Sequence, residues 1–267
     1  MKDLYIGQIK EIQLELLSKL DSFCRKNQIK YFLAYGTLLG AVRHQGYIPW
    51  DDDIDILMPR PDYKIFIKNY NKTSIDSRVY DCFSDSQYPY FMAKLSSEKT
   101  RLEEETNVPY EKIGVNIDIF PLDGAPDTEF KKRMILLYRS LLHTVSILKT
   151  VKLKNNRELY KNLILTIGNK LCAPLGQNML ARKLNEIASQ NDYTKSEEVI
   201  CLASPYGKKD VMFRSDFEKI VELDFEKKKY FAPHQYNRIL KQLYGDYMAP
   251  PPEKFRVTHH AYRAYWK

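Results

Sequence analysis

Long hydrophobic runs, clustered cysteines and glycine-rich linkers are all missing from this chain of 267 residues. Apolar residues make up 44% of it but are dispersed, and in the helical-looking stretch after residue 130 the longest unbroken run is MILL at 134–137. A membrane-spanning helix needs roughly 20 such residues, so none is expected there. The N-terminal residues carry Ile9, Ile12, Leu16, Leu20 and Phe23 at helical spacing rather than the solid apolar block of a secretory signal. An amphipathic helix in a cytoplasmic protein is expected. Cys24, Cys82, Cys172 and Cys201 stand far apart with no paired spacing, which argues against a structural zinc site and fits free thiols in a reducing compartment. No internal repeat, low-complexity segment or Gly/Ser linker marks a sharp domain boundary.

The most informative stretch is GTLLGAVRHQGYIPWDDDIDILM at 36–58. Before it, IKYFLAYG reads as a buried strand that ends at Gly36 and turns into a short helix over 37–44. The free N–H groups and positive end of that helix favour an anion; Gly36 lets the backbone come close to it and Thr37 adds a hydroxyl. Arg43 and His44, one to two turns on, are candidate phosphate contacts. Side chains alternate along an extended strand, so Asp51, Asp53 and Asp55 are expected on one face while Ile54 and Ile56 enter the core. Carboxylates packed so closely repel, and a divalent cation with oxygen ligands relieves the repulsion; Mg2+ or Mn2+ is the natural choice.

A solvated turn or a calcium loop is the plainer alternative. Asp51-x-Asp53-x-Asp55 imitates the start of an EF-hand, yet Ile56 stands where that loop needs glycine and Asp62 where it needs glutamate. A third acid comes from IGVNIDIFPL at 113–122, in which Asp118 is the sole charge. Buried without a cation or donor it would cost on the order of several kcal/mol. A place at a sheet edge or a turn-capping role with Asn116 is the alternative, although perturbed acids on apolar strands tend to be functional. Lys94, in the apolar run YFMAKL, is either a phosphate partner or half of a structural ion pair.

The run AYGTLLGAVRHQGYIPWDDDIDILMPR at 34–60, with NIDIFPLDG at 116–124 and LYGDYMAPPPE at 243–253, resembles the LicD family in motif and in order. That family is similar to the nucleotidyltransferase superfamily of DNA polymerase β, with fukutin-related ribitol-phosphate transferases as distant relatives. The resemblance implies an α+β fold with a mixed-sheet nucleotidyltransferase core. It also implies metal-dependent transfer of phosphocholine from CDP-choline to a sugar hydroxyl of a cell-surface glycan precursor, of teichoic acid or lipopolysaccharide type, with release of CMP. Carried over by position, Gly36 and Thr37 match the phosphate-binding turn, Asp53 and Asp55 the metal pair, and Asp118 the third carboxylate and candidate base. Asp51 matches a further motif acid and possible ligand. Another CDP-linked alcohol phosphate, or an NTP-dependent nucleotidyl transfer, would use the same acids.

Composition shifts near residue 127. Residues 131–183 hold twelve Lys or Arg against Glu158 alone, in a chain whose net charge is +8. Basic, partly apolar helices of this kind fit peripheral contact with an anionic membrane at its inner face, a setting suited to a lipid-linked acceptor; a solvated face or a nucleic-acid patch are the alternatives, and no nucleic acid is expected. The organisation expected is a catalytic core over 1–126, a basic helical subdomain over 127–195, and a mixed region over 196–267 that completes the site. In that last part EVICLAS (198–204) and VELDFEKKKYF suggest strands, 233–243 a helix begun by proline, and 244–252 a rigid proline-rich loop. Arg256 and His259, or its neighbour His260, are candidate substrate contacts; adjacent histidines point apart and do not make a zinc site. A quaternary ammonium offers no N–H donor and must be held by aromatic faces, for which Tyr35, Tyr47, Trp50 and Tyr247 are nearest the motifs.

Overall fold

The computed structural model describes residues 2–153, 158–258 and 262–267. The N-terminal apolar spacing produces α1 (Ile6–Lys26), whose Leu16, Leu17 and Leu20 are fully buried. The chain continues through β1 (Phe32–Leu33), α2 (Tyr35–His44), β2 (Asp55–Pro59), α3 (Arg60–Asn69), β3 (Ser77–Tyr80), β4 (Ala93–Ser97), β5 (Thr100–Glu104) and β6 (Asn116–Gly124). Helices α4 (Glu129–Thr150), α5 (Leu159–Cys172) and α6 (Gln177–Ala188) follow. Then come β7 (Glu198–Ile200), β8 (Val211–Phe213), the hairpin β9 (Ile220–Phe225) and β10 (Lys228–Pro233), α7 (Tyr236–Tyr244) and β11 (Tyr262–Trp266). The fold is α+β around a mixed sheet.

Strand order in that sheet is β1-β2-β6-β4-β3, with β7 and β8 extending it from the far end of β6. Among the described residues only β2 and β6 run parallel, and they do so in a register that sets Asp55 opposite Asp118. Central strands covered on both faces read as nearly continuous apolar runs. Accordingly Ile56, Leu57 and Met58 of β2 and Ile117, Ile119, Phe120 and Leu122 of β6 are all buried. Beyond the acids, Arg60 at the start of α3 clasps Asp123 of β6 through two bonds of 2.6 Å and reaches Asn185 of α6 at 3.2 Å. The C-terminal segments return to this frame, β7 pairing with the end of β6 and β11 with β5.

Several boundaries differ from the sequence reading. The strand expected over 29–36 shrinks to Phe32–Leu33, and the helix begins two residues early, at Tyr35. The acid-bearing strand starts only at Asp55, so Asp51 and Asp53 lie in an irregular approach to it rather than on the strand face. Here the backbone finds partners outside any ladder: Asp51 N–H donates to the Ile48 carbonyl at 2.9 Å, and the Asp52 carbonyl accepts from the Gln13 side chain at 2.9 Å. The helix expected from Pro233 starts at Tyr236, because Pro233 closes the β9–β10 hairpin opposite Ile220 and His234 N–H still reaches the Lys219 carbonyl. With no N–H to give, proline is tolerated there because β10 pairs on one side only.

Candidate active site

The site is organised where β1 passes into α2. Tyr35, the first residue of α2, has φ +44°, a left-handed conformation that a bulky residue adopts only when its surroundings hold it there. They do so on three sides. The Tyr35 ring stacks on Tyr206 at 5.2 Å and meets the edge of Phe120 at 5.3 Å, while its hydroxyl donates to Asp210 at 3.1 Å. Gly36 follows, and a Cβ there would lie 2.6 Å from Oδ2 of Asp51. The glycine is thus needed for close approach, and what approaches is a carboxylate of the same chain, placed where the helix dipole favours negative charge. Thr37 is buried and its hydroxyl accepts the backbone N–H of Asp55 at 2.8 Å. Gly36 and Thr37, the candidate phosphate contacts, also position Asp51 and Asp55.

Asp55 and Asp118 stand side by side on the parallel strands, and Asp118 N–H donates to the Ile54 carbonyl at 2.9 Å. Burial, followed by the charges of Asp53, Asp118 and Asp51, pushes the Asp55 carboxyl well above the usual carboxylate range, with Lys94 pulling the other way. Lys94 lies across from Asp118 on β4, and its ammonium bonds Asp118 at 2.5 Å and Asn116 at 3.1 Å. Burial works against the charge on Lys94, yet Asp118, Glu104 and Asp55 outweigh it and raise its pKa. Lys94 thus makes an ion pair with Asp118. A small cavity of about 50 Å³ opens among Asp53, Asp118, Lys94, Glu104 and Tyr262. Space of that size suits a water or an ion, not a nucleotide.

The donor set suits Mg2+ or Mn2+ in kind, being hard oxygen, and in charge, since Asp55 is destabilised by neighbouring carboxylates. Among the described residues no three His, Cys, Asp or Glu side chains come together closely enough to hold an ion by themselves. The pair Asp55 and Asp118 is in place, and Asp53, in the preceding segment, lines the small cavity with Asp118.

The candidate cations form a second group. Arg43, in the last turn of α2, donates to the Tyr247 carbonyl at 2.7 Å and to His44 Nε2 at 2.9 Å. Burial and the nearby Arg256 lower the Arg43 pKa, and burial and Arg43 lower that of His44, which favours the neutral imidazole that accepts the bond. Arg256 lies 5.5 Å over the ring of Trp50, the residue before Asp51, and His44 meets the edge of that ring at 6.4 Å. Arg43, His44 and Arg256 are therefore brought together, while His259 and His260 lie outside the described residues.

Residues 28–145, which contain the turn, both acids and Lys94, match the family model described as LicD/FKTN/FKRP, nucleotidyltransferase domain. They resemble a LicD-family domain. Over 271 aligned residues, 99% of each protein, the chain is 29% identical to the lipopolysaccharide cholinephosphotransferase LicD of Haemophilus influenzae. Shorter matches of 52% identity over 52 residues and 57% over 42 residues relate it to uncharacterized proteins of Rickettsia typhi and Rickettsia prowazekii, covering 17% and 16% of those chains.

The segment that matches the family model does not make its site alone. Gln13 of α1 donates to the carbonyls of Asp52 (2.9 Å) and Asn116 (3.3 Å) and accepts from Tyr47 at 2.9 Å, tying the acidic approach to the start of β6. Its only sequence signal is a polar residue on the apolar face of α1. Of the aromatics expected near a cationic substrate, Tyr35 and Tyr247 are buried, Tyr47 carries Lys10 over its ring at 4.4 Å, and Trp50 carries Arg256. Tyr206 and Tyr244, which the sequence reading passed over, are half-buried with rings perpendicular (89°) and 5.7 Å apart, and their hydroxyls are 2.8 Å from each other. Burial raises both phenols, and the charges of Asp55 and Asp51 add to the effect.

Asp210, under Tyr35, carries a pH signature. Burial pushes it up to about 7 against the opposing influence of Ser204, Tyr35 and Arg139. Unfolded, such a group titrates near 4, so between about pH 4 and 7 the folded chain binds the extra proton. The associated stability is fully present below about pH 4 and is lost as pH rises through 7. Asp210→Asn should therefore gain stability over the parent at pH 8 relative to pH 5, by on the order of 2–4 kcal/mol in urea unfolding. Equal differences at the two pH values would contradict this.

Proposed function

We propose that this protein transfers phosphocholine from CDP-choline to a sugar hydroxyl of a cell-surface glycan precursor, of lipopolysaccharide or teichoic acid type. The observation that carries the reading is the Asp55–Asp118 pair, set beside the α2 turn in a chain similar over 99% of its length to a lipopolysaccharide cholinephosphotransferase. A nucleotidyltransferase-type core is part of the same reading, supported by the description of the family model. Phosphoryl transfer is chiefly positioning and charge neutralisation, and the residues here divide that work.

Asp55 and Asp118, with Asp53 just before them, are the residues that would help to hold Mg2+ or Mn2+, which when bound would supply positive charge to the donor diphosphate. Arg43 and Arg256 supply further positive charge for that diphosphate. The acceptor hydroxyl attacks the phosphorus that bears choline, the bond to CMP breaks, and CMP leaves with the electron pair. The hydroxyl proton needs an acceptor. Asp118, which Lys94 holds at 2.5 Å, is the candidate for that role. The perpendicular Tyr206 and Tyr244 rings, with Asp51 and Asp55 nearby, offer the faces and negative charge a trimethylammonium group requires.

The test is a panel of CDP-choline, CDP-ethanolamine, CDP-ribitol and CDP-glycerol with candidate glycan acceptors, followed by CMP release. CDP-choline should lead by about tenfold in kcat/KM. Preference for a polyol donor would overturn the phosphocholine assignment. Because the matching family model is that of a nucleotidyltransferase domain, NTP-dependent nucleotidyl transfer is the second reading, and release of pyrophosphate would establish it. In the same assay Tyr244→Leu should raise KM for CDP-choline about tenfold while leaving CDP-glycerol within about twofold. Equal losses on both donors would remove Tyr244 from choline recognition.

A further inference from the structure

More than half of the large apolar side chains left exposed among the described residues lie between 130 and 179. On α4, Phe130, Met134, Leu137 and Leu141 recur every three or four residues and form a stripe opposite the inward Ile135, Arg139 and Leu142. Phe130 is 72% exposed and Leu137 65%. On α5 only Gly168 is buried, where the absent side chain admits Leu148; a Cβ there would lie 2.6 Å from it. The rest of that helix turns Leu159 (88% exposed), Leu163, Ile167 and Leu171 (75%) to solvent. Single exposed apolar residues are ordinary, but two neighbouring helices covered with them mark an interaction surface.

The charge beside it selects the occupant. Lys131, Arg133, Lys161 and Lys170 are exposed on these same helices, within the segment that holds twelve Lys or Arg against Glu158. A two-fold contact with a second copy would set that positive charge against itself. An anionic leaflet instead meets both requirements, taking apolar side chains at the acyl boundary and lysine and arginine at the headgroups. No helix among the described residues is long and apolar enough to cross a membrane, so the contact lies along the surface. We propose that α4 and α5 form an interfacial anchor that seats the protein on an anionic lipid leaflet. This does not rest on the phosphocholine reading.

The test is flotation of the full chain with vesicles of phosphatidylcholine alone or mixed with phosphatidylglycerol. Binding to the mixed vesicles should exceed binding to neutral ones by about tenfold and weaken with salt. Leu163→Glu with Ile167→Glu should reduce it by at least about tenfold with melting temperature unchanged. Lys131→Gln with Arg133→Gln should abolish only the preference for phosphatidylglycerol, which keeps the test decisive if the glutamate pair unfolds. The proposal is overturned by equal flotation with both vesicles, by no flotation, by wild-type binding of either variant, or by a dimer in sedimentation that the glutamate pair dissociates.

Discussion

Asp55→Asn should lower kcat by at least about a thousandfold, equivalent to ~4 kcal/mol of transition-state stabilisation, while raising rather than lowering stability to urea. Both halves follow from the same geometry. Asp55 is placed beside Asp118 by strand register and fixed by the Thr37 hydroxyl, so the amide keeps the shape and loses the charge. In the folded chain that charge is opposed by burial and by Asp53, Asp118 and Asp51, so removing it relieves a cost that is greatest above the usual carboxylate range. Turnover within tenfold of the parent would sink the proposed mechanism. A fall in stability at pH 8 would instead mean that the repulsion is already compensated.

Asp123→Ala should be the most damaging substitution for stability, at about 3–5 kcal/mol. Asp123 and Arg60 are both buried, and they are joined by two 2.6 Å bonds where β2 hands the chain to α3. Removing the carboxylate leaves a guanidinium in the interior with Asn185 as its remaining bonded partner. The double variant Arg60→Met with Asp123→Leu should recover most of the loss, since the cost lies in the orphaned charge rather than in the missing attraction. If the single substitution shifts the urea midpoint no more than a surface change does, the pair is not buried in solution.

Much of the frame could be read from the chain because it is written in local periodicity. The apolar face of α1, the β9–β10 pair and the lone acid of IGVNIDIFPL need only their neighbours in sequence to be recognised. What escaped was decided by distant partners. Nothing near Gly36 says that Asp51 will press against it, nothing near Lys94 says that Asp118 lies across the ladder, and Tyr206 and Tyr244 gain significance only when folding brings them to the acids. Asp51 and Asp53 alternated as a strand should, but Gln13, from another helix, satisfied the backbone first.

Gln13 lies before the segment that matches the LicD family model, and Tyr206, Tyr244, Arg256 and Tyr262 lie after it. The acids can therefore be inherited as a compact motif, while the walls around them are contributed from both flanks. Such a division would let a lineage alter the flanks and leave the acids untouched. It also means that residues 28–145, cut out on their own, would carry the acids without the side chains that pack around them.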